Sequence, residues 1–193
     1  MWKQFAPAIR ITLFFTVLTG LIYPGVVTGL CQLLFPSKAN GSLVEVKGHA
    51  VGSSLIGQNF TKPEYFQPRP SAAGNDGYDA SASSGSNYGP TNQKLIGRVK
   101  ASVDRFRKDN PDYTGAIPAD LATASGSGLD PDISPASAQA QAARIARARG
   151  ISLQQVQQLI AEHTEGRTLS LLGEPRVNVL TLNLALDRLS PHH

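Results

Sequence analysis

ITLFFTVLTGLIYPGVVTGLCQLLFPS, residues 11–37, carries no charged side chain and is almost continuously apolar as far as Phe35. Lys3 and Arg10 precede it and Lys38 follows it. A helix rises about 1.5 Å per residue, so the stretch would extend roughly 40 Å against a hydrocarbon core of about 30 Å. It reads as one membrane-spanning helix near the N-terminus. The alternative is a cleaved signal peptide, since Ser37-Lys38-Ala39 satisfies a small-x-small pattern. The apolar run is about twice as long as the apolar region of such a peptide, which favours a retained anchor. Lys3 and Arg10 make the N-terminal flank the more positive side and assign it to the cytoplasm. Residues 1–10 are then cytoplasmic, 11–37 the transmembrane helix, and 38–193 an extracytoplasmic domain.

Within the span, Thr12, Thr16 and Gly20 repeat at i, i+4 and i+8, and Gly25 and Gly29 enclose a GxxxG. Small residues let helix backbones approach closely in lipid. On an ideal helix Gly20 and Gly25 lie about 140° apart, so these are two faces. Pro24, between them, lacks a backbone donor and is expected to kink the helix. Thr12, Thr16, Gly20, Pro24, Gly25 and Gly29 are therefore the candidate contacts with partner helices.

All 14 acidic residues lie beyond Lys38, with every basic residue of the 18 except Lys3, Arg10 and Lys38. The exported part is thus nearly neutral, and it has no basic stripe with interleaved aromatics, which argues against nucleic acid. The single cysteine, Cys31, falls inside the span, so the domain must bury a core without disulfides.

Residues 42–46 and 50–60 read as two strands around Lys47-Gly48. From 63 to 90 the chain is rich in Pro, Gly, Ser, Asn and Asp, with almost no aliphatic residue. So long a loop is functional or disordered, and its Tyr65, Phe66, Tyr78 and Tyr88 argue for order. Leu95, Val99, Val103 and Phe106 set one face of a helix over about 92–108. Leu121–Ser127 reads as a weak strand. Ser134-Pro135 opens a helix that Gly150 closes, and Ser152-Leu153-Gln154-Gln155 is a capping box opening another that ends by Gly166. Val177–Leu189 fits both strand and helix; its length and Asn178 as a cap favour the helix. The fold class is α+β: one N-terminal transmembrane helix followed by a single α+β domain.

Chemistry-bearing motifs are scarce. The chain has no Walker sequence, G-x-S-x-G, S-x-x-K or C-x-x-C, and its four histidines have no metal-ligand spacing. The pairs Asp76/Asp79 and Asp130/Asp132 have oxygen ligands for a hard cation, but the EF-hand register is missing and Asp130-Pro131-Asp132 suits a helix N-terminus better. The expectation is no catalytic group and no metal. His192-His193 reads equally as native sequence or a tag remnant.

A family resemblance supplies what these residues do not. Tyr23-Pro24-Gly25, Asn40-Gly41-Ser42-Leu43 and Ser54-Leu55-Ile56-Gly57-Gln58-Asn59-Phe60 resemble the C subunit of the Kdp-type potassium-transporting ATPase. So do Tyr65-Phe66, Arg69-Pro70-Ser71-Ala72, Ser84-Gly85-Ser86-Asn87-Tyr88-Gly89-Pro90-Thr91-Asn92, and the run from Thr123 to Pro135. Ala148-Arg149-Gly150 and Gly173-Glu174-Pro175-Arg176-Val177-Asn178-Val179-Leu180 extend the resemblance to the C-terminal helix. It implies a non-catalytic subunit of a high-affinity, ATP-driven potassium importer in a bacterial inner membrane. The implied partners are a channel-like potassium-binding subunit, a P-type ATPase subunit and a small fourth subunit. The implied role is to stabilise the assembly and, as a catalytic chaperone, to raise the pump's apparent ATP affinity.

The family has also been credited with nucleotide contact through a Leu-Ser-Gly-Gly-Gln-like signature. The corresponding residues here are Ile151-Ser152-Leu153-Gln154-Gln155, which would make Ser152 and Gln155 the nucleotide ligands and ATP a ligand of this chain. The segment departs at its first position and lacks both glycines, and the capping box already explains Ser152 and Gln155. Three readings compete: an accessory subunit, a direct nucleotide-binding regulator forming a ternary complex with the ATPase subunit and ATP, and an anchored enzyme using the 63–90 loop. The last lacks a histidine, lysine or cysteine in that loop from 64 to 90 to act as base or nucleophile.

Overall fold

A computed structural model describes residues 2–189, so His192 and His193 lie outside the described residues. The chain divides into two units that meet between Val51 and Gly52.

The first unit is built on one helical run. Helix α1 (Trp2–Val17) passes through a π turn (Leu18–Ile22) into α2 (Tyr23–Leu34). The π turn is the helix's answer to Pro24. A proline has no N–H to give and its ring presses on the carbonyl four residues back, here Gly20. Widening the preceding turn relieves that pressure: the Tyr23 N–H reaches Leu18 O, five residues back, and the Thr19 hydroxyl donates to Phe15 O at 2.6 Å. The extra residue in the turn also rotates the second half of the helix backwards relative to an unbroken α-helix.

The helix ends at Leu34 rather than at residue 37. Phe35 precedes Pro36, whose ring disfavours the helical region for it, and it lies at φ −139°, ψ 55°. A short helix α3 (Pro36–Ala39) follows, then strands β1 (Leu43–Val46) and β2 (His49–Ser53), paired in a two-stranded sheet. Lys47 and Gly48 both have positive φ, as a tight hairpin requires. The second strand stops at Ser53 instead of reaching residue 60; a turn at 54–56 diverts it.

The second unit has four long helices, α4 (Gln93–Asp109), α6 (Pro135–Arg149), α7 (Leu153–Glu162) and α8 (Val179–Leu189), with a short α5 (Ala119–Ala122). A small antiparallel sheet has the order β3 (Asp132–Ile133), β5 (Arg176–Asn178), β4 (Thr164–Glu165), with Ile133 and Thr164 both opposite Val177. The element boundaries follow their caps. Asn92 accepts from Lys94 N–H, Ser134 from Ser137 N–H, and Asn178 from Thr181 N–H. Gly150, at φ 65°, closes α6 in a Schellman arrangement, with its own N–H on Arg147 O and that of Ile151 on Ala146 O.

The Leu121–Ser127 strand is not formed. Ala119–Ala122 is a helical turn started by Pro118, and Leu121 packs with Phe106 and Ala140 in a satellite cluster. Helix α7 ends at Glu162, before Gly166, because the chain joins the sheet at Thr164. The main core unites Ala138, Ala142 and Ile145 of α6 with Val156 and Ile160 of α7, Leu182 and Leu186 of α8, Val177 of the sheet, and Phe66. Alanines on α6 let its neighbours approach closely, and Phe66 brings the Pro/Gly tract into the core.

Candidate functional site

The expected partner-helix residues are all exposed in this chain. Thr12, Thr16, Gly20, Pro24, Gly25 and Gly29 lie on the helical run, and a Cβ added at any of the three glycines would meet nothing within 4 Å. The run from Lys3 to Leu34, 32 residues of mean hydropathy 1.8, is long and apolar enough to cross a membrane. Large apolar side chains such as Phe14, Leu21 and Leu33 are more than half exposed along it.

The Pro/Gly tract, by contrast, is held within the domain at Phe66 and Gln67. Asn183 of α8 accepts from the Phe66 N–H at 2.8 Å and donates to Phe66 O at 3.0 Å. Gln141 of α6 treats the next residue the same way, accepting from Gln67 N–H at 2.8 Å and donating to Gln67 O at 3.1 Å. Two buried amides on two helices thus replace the ladder that a neighbouring strand would supply. Ser137, Gln141 and Arg144 recur at i, i+4 and i+7 as a buried polar seam on α6.

Arg144 is the centre of that seam. Its guanidinium donates to Asn110 Oδ1 at 2.9 Å, Gln141 Oε1 at 2.7 Å, Tyr65 O at 3.0 Å and Pro63 O. Burial lowers its pKa to about 10, which leaves it charged at neutral pH. One helical turn on, the buried Arg149 donates to Asp187 at 2.7 Å and Glu64 O at 2.8 Å, and lies 4.8 Å from the Tyr65 ring centroid. Tyr65 donates to Asp187 at 3.2 Å, and burial followed by that carboxylate raises its pKa. Ser137, at the other end, donates to Asp120 at 2.6 Å, which places a carboxylate at the positive end of α6.

A cleft of about 440 Å³ lies between this tract and α4, with Arg69, Arg98 and Arg105 set against Asp76 and Asp109 in its wall. Arg69 is held by Asp130 at 2.7 Å, and Arg98 donates to Ser71 O at 3.1 Å. Tyr78 donates to Arg69 O at 2.8 Å, and its burial, reinforced by Asp130, raises the phenol pKa. None of the described lining residues is a histidine, lysine or cysteine.

Three of the four carboxylates considered for a cation do local work. Asp79 accepts from Ser81, Asp130 pairs with Arg69, and Asp132 accepts from Asn178 at 3.1 Å and lies 3.3 Å from Arg176. The Asp76 backbone carbonyl accepts from Asn59 at 3.3 Å.

Ser152 and Gln155 form the complete capping box. Ser152 Oγ accepts from the Gln155 N–H at 3.2 Å, and Gln155 Oε1 accepts both the Ser152 N–H at 3.0 Å and its hydroxyl at 2.9 Å. The hydroxyl and the amide oxygen are thereby occupied within the helix start.

Residues 5–188 match the family described as K+-transporting ATPase, c chain. The chain belongs to that family. It is similar to the potassium-transporting ATPase KdpC subunit of Gemmatimonas aurantiaca, 59% identical over 190 residues, covering 98% of this chain and 95% of the relative. The corresponding subunit of Myxococcus xanthus is 58% identical, with 97% and 89% covered, and that of Mycobacterium tuberculosis 56%, with 98% and 100% covered. The c-chain match spans the helical run and the strapped domain alike.

Sequence reasoning missed the residues that make the c-chain domain cohere: Gln141, Arg144, Arg149 and Asn183. Their one sequence signal is the polar spacing of Ser137, Gln141 and Arg144 inside an alanine-rich helix. Their partners in the Pro/Gly tract are peptide groups 74 to 117 residues away, which no local pattern reveals.

Proposed function

We propose that this chain is the non-catalytic accessory subunit of an ATP-driven potassium import complex, with its N-terminus cytoplasmic and its domain outside. The observation that carries this reading is the family match from residue 5 to residue 188, which leaves neither unit of the chain outside it. The helix of the first unit is the surface for other subunits' helices, because a Cβ added at its three glycines meets nothing within 4 Å among the described residues. The partners in this reading are the channel-like potassium-binding subunit, the P-type ATPase subunit that hydrolyses ATP, and a small fourth subunit.

Its effect is to hold the assembly together and to raise the apparent ATP affinity of the catalytic subunit. Coupling of that kind requires unequal contact with the pump's conformations, since a subunit bound equally to all of them shifts nothing. Ser152 and Gln155 are assigned to starting α7 rather than to nucleotide, on the strength of the completed capping box. Affinity purification of the full chain in mild detergent tests the reading: the other subunits should co-elute, and complex lacking this chain should need more ATP for half-maximal hydrolysis. Elution as a monomer, or an unchanged ATP requirement, overturns it.

A further inference from the structure

The arm formed by β4 and β5 ends in an apolar tip. Thr168 and Leu172 exchange backbone hydrogen bonds of 2.9 Å, and the Leu171 N–H donates to Thr168 O at 3.1 Å. The central residues of that turn, Leu169 and Ser170, both have positive φ, 54° and 59°. Asn-Gly fills such a turn readily, whereas a leucine there is strained. Yet Leu169, Leu171 and Leu172 are 87%, 77% and 59% exposed. The tip thus combines an unfavourable backbone with three apolar side chains in water, and neither serves the packing of this chain. Strain combined with exposed apolar surface marks a contact site.

The base of the arm is braced and electrically balanced. Arg167 Nη2 donates to both Glu174 oxygens at 2.8 Å, and Arg176 Nη2 donates to Glu165 at 2.7 Å. The register slips by one residue between the Glu165–Arg176 and Thr168–Leu172 pairings, and such a bulge re-aims what lies beyond it. A lipid-binding tip draws on excess cationic residues for anionic headgroups and on Trp or Tyr at the interface. Residues 164–176 hold two arginines, two glutamates and neither aromatic. That chemistry suits a protein pocket with an apolar floor and a neutral polar rim.

We propose that Leu169, Leu171 and Leu172 form a preorganised knob that seats in an apolar pocket on another subunit of the same complex, an inference that rests on the reading of this chain as a subunit. A benzophenone side chain placed at position 171 of the full chain, irradiated in the detergent-purified complex, tests it. The expected product is a covalent adduct with another subunit, identified by mass. A lipid adduct, an adduct with a second copy of this chain, or no adduct from an intact complex overturns the knob and leaves the subunit reading standing. Failure of the unaltered chain to co-purify with any subunit overturns both. Leu171→Ser should reduce retention of partners roughly tenfold while leaving the unfolding midpoint of the chain in place. Leu169→Gly should raise that midpoint while still weakening retention; unchanged retention in both variants also overturns the knob.

Discussion

The glycines of the long helix and Gly128 of the domain stand in opposite surroundings. In the membrane-length helix, Gly20, Gly25 and Gly29 face open space, and an added Cβ meets nothing within 4 Å. In the domain, Gly128 sits at φ 68° where a Cβ would come within 2.6 Å of Ser84 O. Gly128 is required by its own backbone and neighbours, whereas nothing among the described residues crowds the three helix glycines. The domain's unusual residues are answered internally, Phe66 and Gln67 by Asn183 and Gln141, and the Pro63 and Tyr65 carbonyls by Arg144. In the proposed subunit, the helix's small residues would receive groups that other molecules bring. Substitutions in the domain should therefore register as lost stability, and those in the helix as lost assembly.

Arg144→Met gives the largest effect and the hardest test of that division. It removes a buried charge and leaves four acceptors without their donor, and the domain should lose about 3 kcal/mol or more in urea unfolding of the full chain. A loss below about 1 kcal/mol would mean that water replaces the guanidinium and that the seam is not the domain's keystone. Next come Gly25→Leu and Gly29→Leu, which should cut co-purification of partner subunits several-fold and leave the unfolding midpoint alone, with alanine at either position tolerated better. Equal retention of the leucine and alanine variants would break the contrast at its membrane end. Ser152→Ala should cost about 1 kcal/mol of domain stability, with no change in the ATP concentration for half-maximal hydrolysis. A changed ATP dependence at unchanged stability would transfer Ser152 from the domain's internal accounts to nucleotide contact.

Asp132 supplies the smallest and subtlest comparison. Burial holds its carboxyl pKa above the ordinary value, against the opposing pull of the Asn178 hydrogen bond. A raised carboxyl pKa means that the folded state holds the proton more tightly than the unfolded chain does. Its contribution is then full below the ordinary pKa and is lost as pH rises through the raised one. The stability of the parent chain relative to Asp132→Asn should accordingly fall as pH rises across that window. A relative gain over the same range would show that Arg176 dominates the site.

Much of the fold was legible in local sequence, because caps are local devices. Asn92, Ser134, Ser152 and Asn178 each begin the helix expected of them, and Gly150 ends one. Asn178 decides the ambiguous 177–189 segment by doing two jobs: its backbone closes β5 and its side chain opens α8. The strand expected over Leu121–Ser127 failed because its small residues carry no period, while Pro118 and Asp120 were genuine helix-start signals left unread. The strand expected over 50–60 failed past Ser53, where the backbone turns and the ladder ends.

The Pro/Gly tract was recognisable as unusual, but its order depends on amides far along the chain. The span's small-residue pattern was visible at once; the π turn was not, because Pro24 announces a disturbance without saying whether a helix will kink or widen. The leucine tip was overlooked because Leu169, Leu171 and Leu172 fit neither helical nor strand periodicity.

The pairing of Phe66 with Asn183 also sets a timetable for biosynthesis. These residues are 117 apart, and Asn183 lies on α8. A ribosome that has delivered the whole tract has still to deliver the side chain that clasps it. Until α8 emerges, Phe66 lacks part of its core and its peptide groups have only solvent or a chaperone to bind. The domain can close only once α8 has been delivered, so a nascent chain stalled before α8 would expose Phe66, which the folded protein buries completely.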